Sequence, residues 1–122
     1  MINVTDLPPC PVALFLQLVG NKWKVLIIRD LLTGVKRFGE LKRSVGCAQK
    51  VLTGNLKDLE ADGLVSRTVF AEVPPRVEYA LTPAGESLEP VLKVIEKWGE
   101  DYRQYALSGR KKVLTRKPHK TA

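Results

Sequence analysis

Residues 38–61 read FGELKRSVGCAQKVLTGNLKDLEA, and the spacing of their apolar side chains decides the fold. Phe38, Leu41 and Val45 recur at i, i+3 and i+7, which predicts a short helix from about Phe38 to Ser44 with one buried face. Val45, Gly46 and Cys47 then form a tight turn. A second helix follows from about Ala48 to Ala61, buries Leu52, Leu56 and Leu59, and stops at Asp62-Gly63. A helix, a three-residue turn containing glycine and a second helix make up the helix-turn-helix that docks in DNA.

With the three leucines turned inward, the second of these helices presents Gln49, Lys50, Thr53, Gly54 and Lys57 outward. Gln49 suits a bidentate pair with adenine, Lys50 a guanine N7 or a phosphate, and Thr53 a thymine methyl or a phosphate. Gly54 lets the backbone approach a duplex, at a helix cost of roughly 1 kcal/mol relative to alanine. A polar helix face taken alone reads first as a solvated surface; the position directly after the turn reverses this in favour of a DNA-reading face. Arg37, Lys42 and Arg43 lie on or beside the preceding helix, which in this motif crosses the backbone, so they are expected at phosphates.

Working outward, Pro11 opens an apolar helix that ends at Gly20, and Asn21 caps another carrying Trp23, Leu26, Ile27 and Leu31 before Gly34. Downstream, Val65 to Phe70 and the alternating run Arg76 to Leu81 predict a hairpin with Glu72 to Arg76 at its tip, the wing. Arg76 either enters a minor groove or pairs with Glu72 or Glu78. Thr82 and Pro83 open the last helical segment, which Pro90 should kink or restart near Ser87. There Leu88, Val91, Ile95, Trp98, Tyr102 and Tyr105 step by heptad spacing, the mark of a seam facing another helix, and the partner expected is a second copy of the chain.

The charge distribution agrees. Twenty Lys and Arg oppose thirteen Asp and Glu, but Arg110, Lys111, Lys112, Arg116, Lys117 and Lys120 crowd into the tail. Within the rest, Lys36, Arg37, Lys42, Arg43, Lys50 and Lys57 face only Glu40, whereas residues 86–105 are acidic on balance. The basic segment is thus the helix-turn-helix itself. The tail, residues 108–122, reads as disordered, and either adds non-specific phosphate contacts or stands as an idle solvated end.

Two cysteines are too few for a secreted disulfide scaffold and lack the neighbours of a metal site, so no metal and no cofactor are expected. Cys10 and Cys47 both precede predicted helices, where free N–H groups and the helix dipole favour an anionic sulfur. They read either as reactive thiols or as two small buried residues. The longest apolar run, Val12 to Val19, is interrupted by Gln17 and too short for a bilayer; a cytoplasmic protein with no membrane partner is expected.

From Cys10 to about Tyr102 the sequence resembles the HxlR family of winged helix regulators, relatives of the MarR type. The resemblance rests on Cys10-Pro11, Gly20-Asn21-Lys22-Trp23-Lys24, Arg37-Phe38-Gly39-Glu40-Leu41, Gln49-Lys50-Val51-Leu52-Thr53, and Pro74-Pro75-Arg76-Val77-Glu78-Tyr79 followed by Leu81-Thr82. It implies a homodimer that binds inverted repeats in double-stranded DNA with the helix after the turn in the major groove. It also implies that Cys10 senses an oxidant or electrophile, in some members through a disulfide to the other subunit, for which Cys47 is the candidate here. The family's usual serine before the Gln-Lys pair is Ala48, which removes one hydroxyl from that helix start.

An enzyme fits poorly, because there is no Cys-x-x-Cys, no phosphate loop, and His119 in the tail is the only histidine. A winged helix that binds only proteins would not need six bases against one acid between Lys36 and Lys57. The expectation is a mostly α, α+β winged helix-turn-helix over residues 1–107, with a two-stranded wing and N- and C-terminal dimerisation helices, followed by the basic tail.

Overall fold

The structure, a computed structural model, describes residues 3–109; the expected tail from residue 110 onward lies outside them. The chain divides into two compact units, residues 1–89 and residues 90–122.

The first unit opens with a 3-10 turn, Val4–Asp6, and then α1, Pro11–Val19, with Pro11 in its first turn. Gly20 turns the chain through 81° into α2, Lys22–Leu31. No side chain fits at that corner, since a Cβ on Gly20 would stand 1.9 Å from the Leu16 carbonyl oxygen. Asn21 caps α2 by accepting the Lys24 N–H at 2.9 Å, which satisfies one of the donors every helix start leaves free.

After α2 come β1, Lys36–Arg37, and α3, Phe38–Val45. The Glu40 carboxylate accepts the Arg37 N–H at 2.9 Å and so closes the start of α3. Gly46 ends it in the left-handed conformation, φ 77°, a region that glycine enters without steric cost. Three residues later begins α4, Gln49–Ala61, followed by β2, Val65–Phe70, and β3, Arg76–Leu81. The predicted helix-turn-helix and hairpin are therefore present at nearly the predicted bounds.

The sheet has one strand more than the sequence suggested. β3 lies in the middle, paired antiparallel with β2 from Val65↔Leu81 to Phe70↔Arg76 and with β1 through Lys36↔Tyr79 and Arg37↔Glu78. Two residues are too few to show alternation, so β1 left no periodic signal. Its effect is to fasten the start of α3 to the wing.

Ile27, Ile28 and Leu31 of α2, Leu41 and Val45 of α3, Leu52, Leu56 and Leu59 of α4, and Val65 and Tyr79 of the sheet form the core. Each such aliphatic side chain stabilises the fold by about 1.5–3 kcal/mol. Thr82 locks the exit: its hydroxyl donates to the Gly63 carbonyl at 2.6 Å and accepts the Gly85 N–H at 3.1 Å, capping α5, Pro83–Glu86. The helical segment does restart, as Pro90 suggested, with α6 spanning Glu89–Leu107.

Two glycines make opposite predictions. A Cβ on Gly54 meets nothing within 4 Å, whereas one on Gly85 would stand 2.2 Å from the Leu64 carbonyl oxygen. In urea denaturation, Gly54→Ala should stabilise the protein by about 0.5–1 kcal/mol through helix propensity, and Gly85→Ala should destabilise it by about 1–3 kcal/mol through overpacking.

Candidate nucleic-acid interface

With Leu52, Leu56 and Leu59 buried, Gln49, Lys50, Thr53, Gly54 and Lys57 line one open surface of α4. All but the half-buried Thr53 are exposed. Ala48 gives the helix no side-chain cap, so its first N–H groups keep their hydrogen-bonding capacity. Arg37, Lys42 and Arg43 are exposed at the two ends of α3. Among the described residues, none of Arg37, Lys42, Arg43, Lys50 and Lys57 enters an ion pair.

Arg76 stands apart from this free set. Its guanidinium pairs with Glu78 at 3.0 Å and Glu72 at 3.3 Å and lies over the Phe70 ring, 3.9 Å from the centroid. Reaching a groove would require leaving both carboxylates and the ring. Arg67 on β2 is the unpaired cation of the wing among the described residues; it shares a hollow with Thr53, Lys57, Glu60 and Tyr79 beside α4. Arg67 was not among the residues expected at DNA, because the burial of β2 does not alternate and no period in the sequence marks this position as outward.

A polar hollow beside α3 is lined by Asp30, Thr33, Lys36, Glu40, Arg43 and Ser44. Asp30 at the end of α2 accepts hydrogen bonds from Ser44 Oγ at 2.5 Å and Arg29 Nε at 2.8 Å, tying the end of α3 to α2. Burial pushes the Asp30 carboxyl up, but the hydrogen bonds from Arg29 and Ser44 and the charges of Arg29 and Lys36 outweigh it and hold the group below its ordinary value.

Cys10 is exposed at the N-cap of α1, its side chain making no capping bond. Cys47, 9% exposed, is buried in the turn before α4. Of the residues assigned to a dimer seam, Val91, Ile95, Trp98 and Tyr102 are exposed, Trp98 to 60%, while Leu88 and Tyr105 are half-buried. Trp98 stacks on Tyr102 at 5.4 Å between centroids, and Tyr105 follows at 5.8 Å. Val94, one helical step from Val91 and Trp98, extends this apolar strip and was overlooked. Val12 and Leu16 of α1 are likewise exposed. Among the described residues, no group of three or more His, Cys, Asp or Glu side chains is placed to hold a metal, and no single helix is long and apolar enough to cross a membrane.

Residues 18–106 match the family model described as HxlR-like helix-turn-helix. The HTH-type transcriptional regulator YybR of Bacillus subtilis strain 168 is 41% identical over 112 residues, which cover 91% of this chain and 90% of that protein. Among solved structures, the redox regulator HypR in its reduced form superposes with a TM-score of 0.75 at 42% identity, covering 81% of this chain and 99% of that one. A MarR-family transcriptional regulator from Porphyromonas gingivalis W83 gives 0.73 at 40% identity, covering 83% and 97%.

The depressed Asp30 carboxyl makes the acid stability testable. Its contribution is complete above the unfolded-state value and is lost as pH falls through the lower folded-state value. Ser44→Ala removes one of the bonds holding the carboxylate, so the Asp30 titration followed by NMR should move to higher pH, and acid unfolding should begin at higher pH with it. An unmoved Asp30 titration would show that Ser44 contributes nothing to the depression.

Proposed function

The chain belongs to the HxlR-like helix-turn-helix family of transcriptional regulators, and on that premise we propose that it acts as a homodimer on an inverted-repeat operator, with α4 in the major groove. The observation that carries this reading is the exposed face of α4, whose lysines have no ion-pair partner among the described residues and which begins directly after the Gly46 turn. Cations left unpaired on a folded surface keep their full charge for phosphates. Gln49 and Lys50 at the helix start take the base edges, Thr53 and Gly54 allow close approach, and Lys57 follows the strand. Arg37, Lys42 and Arg43 hold phosphates, and Arg67 on the wing joins them. Arg76, clamped by its two carboxylates, keeps the wing in shape and enters a groove only on leaving them.

The second copy is held through Val91, Ile95, Trp98 and Tyr102 of α6, with Leu88 and Tyr105 flanking and the exposed apolar side of α1 contributing. So much exposed apolar surface on one small chain supports an interface with a second molecule. Two-fold symmetry then sets two α4 helices against two half-sites about one DNA turn apart.

Thiol control is the signal this reading adds, supported by the likeness to a protein described as a redox regulator. Exposed Cys10 meets the oxidant first. Joining it to Cys47 of the second copy removes two electrons and two protons from the two thiols as the S–S bond forms. Because Cys47 is buried at the foot of α4, forming that bond requires the turn to open, which moves the reading helix.

Selection of genomic DNA fragments by reduced and diamide-treated protein, read by sequencing, tests the proposal. Enrichment of an inverted repeat supports it, and enrichment of no sequence overturns it in favour of a protein-binding winged helix. On the enriched repeat, Gln49→Ala should cost about 1–3 kcal/mol of binding and relax preference at one base position, whereas Lys42→Ala should weaken all sequences alike and reduce the salt slope by about 1. Cys10→Ser should abolish the diamide response; a response that persists would remove Cys10 from the mechanism.

A further inference from the structure

The cap of α2 is continued by side chains into a polar link with α4. The Lys24 N–H donates to Asn21 Oδ1 at 2.9 Å, Asn21 Nδ2 donates to Asn55 Oδ1 at 2.9 Å, and Asn55 Nδ2 donates to the Val51 carbonyl at 2.8 Å. Both ends of this chain are backbone groups of fixed polarity. A backbone N–H must meet an oxygen and a carbonyl must meet an N–H, so neither asparagine can be turned over without breaking a bond. One turn further along both helices, Lys24 Nζ lies 3.4 Å from the Asp58 carboxylate. Asn21 at the N-cap of α2 and Lys24 in its first turn thus form two rungs with Asn55 and Asp58 on α4, each pair three residues apart and therefore on one side.

The rungs supply what the core cannot. Leucine packing between α2 and α4 is non-directional, and ridge-in-groove contacts tolerate crossing-angle scatter of about 15–20°. A bidentate base contact does not tolerate such a rotation. Asn55 immediately follows Gly54 of the reading face, so its bond to Asn21 acts on the part of α4 that must be aimed. Asn21 also follows the Gly20 corner, where backbone crowding leaves no room for a Cβ and the chain turns 81° from α1 into α2.

We propose that Asn21 is a positioning residue for DNA recognition, fixing through Asn55 the roll of α4 against α2 and thereby the aim of Gln49, Lys50 and Thr53. This rests on the DNA-binding reading above. It assigns Asn21 no contact with DNA: the residue acts only through α4, and its loss alters discrimination between sequences more than affinity for DNA as such.

Asn21→Asp separates this role from helix capping. The carboxylate keeps the cap on Lys24 N–H, since aspartate caps as well as asparagine, but sets an acceptor against the Asn55 acceptor and breaks the rung. Asn55→Ala breaks it from the other side. Binding by each variant, by the double variant and by the unaltered protein is measured on the genomic repeat enriched by the unaltered protein and on a scrambled duplex of the same composition, with thermal melting alongside. The ratio of affinities for repeat and scrambled duplex should fall about tenfold in either single variant, a loss comparable to one mismatched base pair. The double variant should be no worse than the weaker single one, because both remove the same bond. Unchanged ratios in the singles overturn the positioning role while leaving the DNA reading intact. Equal losses on both duplexes in step with a lowered melting temperature overturn it too, reducing Asn21 to a stability residue. If the unaltered protein enriches no repeat, the DNA reading falls and the positioning role with it.

Discussion

Burial of Leu52, Leu56 and Leu59 fixes the orientation of α4, and with it the surface this helix presents. Once those three side chains are closed off from water against the rest of the core, the 3.6-residue period leaves no freedom in what the opposite face shows. Gln49, Lys50, Thr53, Gly54 and Lys57 are outward because the leucines are inward. The Gly46 turn, the Asn21 rung and the sheet all refine where that face points; none of them chooses which residues it contains.

β3 organises the remainder of the first unit. As the middle strand it holds β2 on one side and the two-residue β1 on the other, so the start of α3 and the wing share one hydrogen-bonded sheet. Arg37 is therefore at once a strand residue opposite Glu78 and the cap residue of α3. The exposed cations at the ends of α3 and Arg67 on β2, unpaired among the described residues, belong to one body rather than to a helix and a separate hairpin. The clamp of Glu72 and Glu78 on Arg76 has the same effect within the hairpin: partly screened ion pairs contribute little energy individually, but two carboxylates and a ring face together define where one guanidinium rests.

The second unit carries a different chemistry. α6 exposes Val91, Val94, Ile95 and the stacked Trp98 and Tyr102, large side chains whose exposure to water is unfavourable unless they meet another surface. Its polar side is laced by short-range pairs, Lys97 with Asp101 and Arg103 with Glu100, of the spacing that steadies an isolated helix. The helix is thus steadied along one side by its own ion pairs and apolar along the other.

The helix-turn-helix, the hairpin, the outward face of α4 and the heptad strip of α6 were legible in the sequence, because each rests on a period or a punctuating residue within a few positions of chain; Pro90 marked a break but left a kink and a restart both open. Three-dimensional packing alone settled the pairing of β1 with β3, the choice of Glu72 and Glu78 as joint partners of Arg76, the burial of Cys47 against the exposure of Cys10, and the Asn21–Asn55 rung across 34 positions of sequence. Those depend on which elements become neighbours in space. Periodicity shows which face of an element is buried; which polar atom will lie across from it is settled only when two such faces have packed.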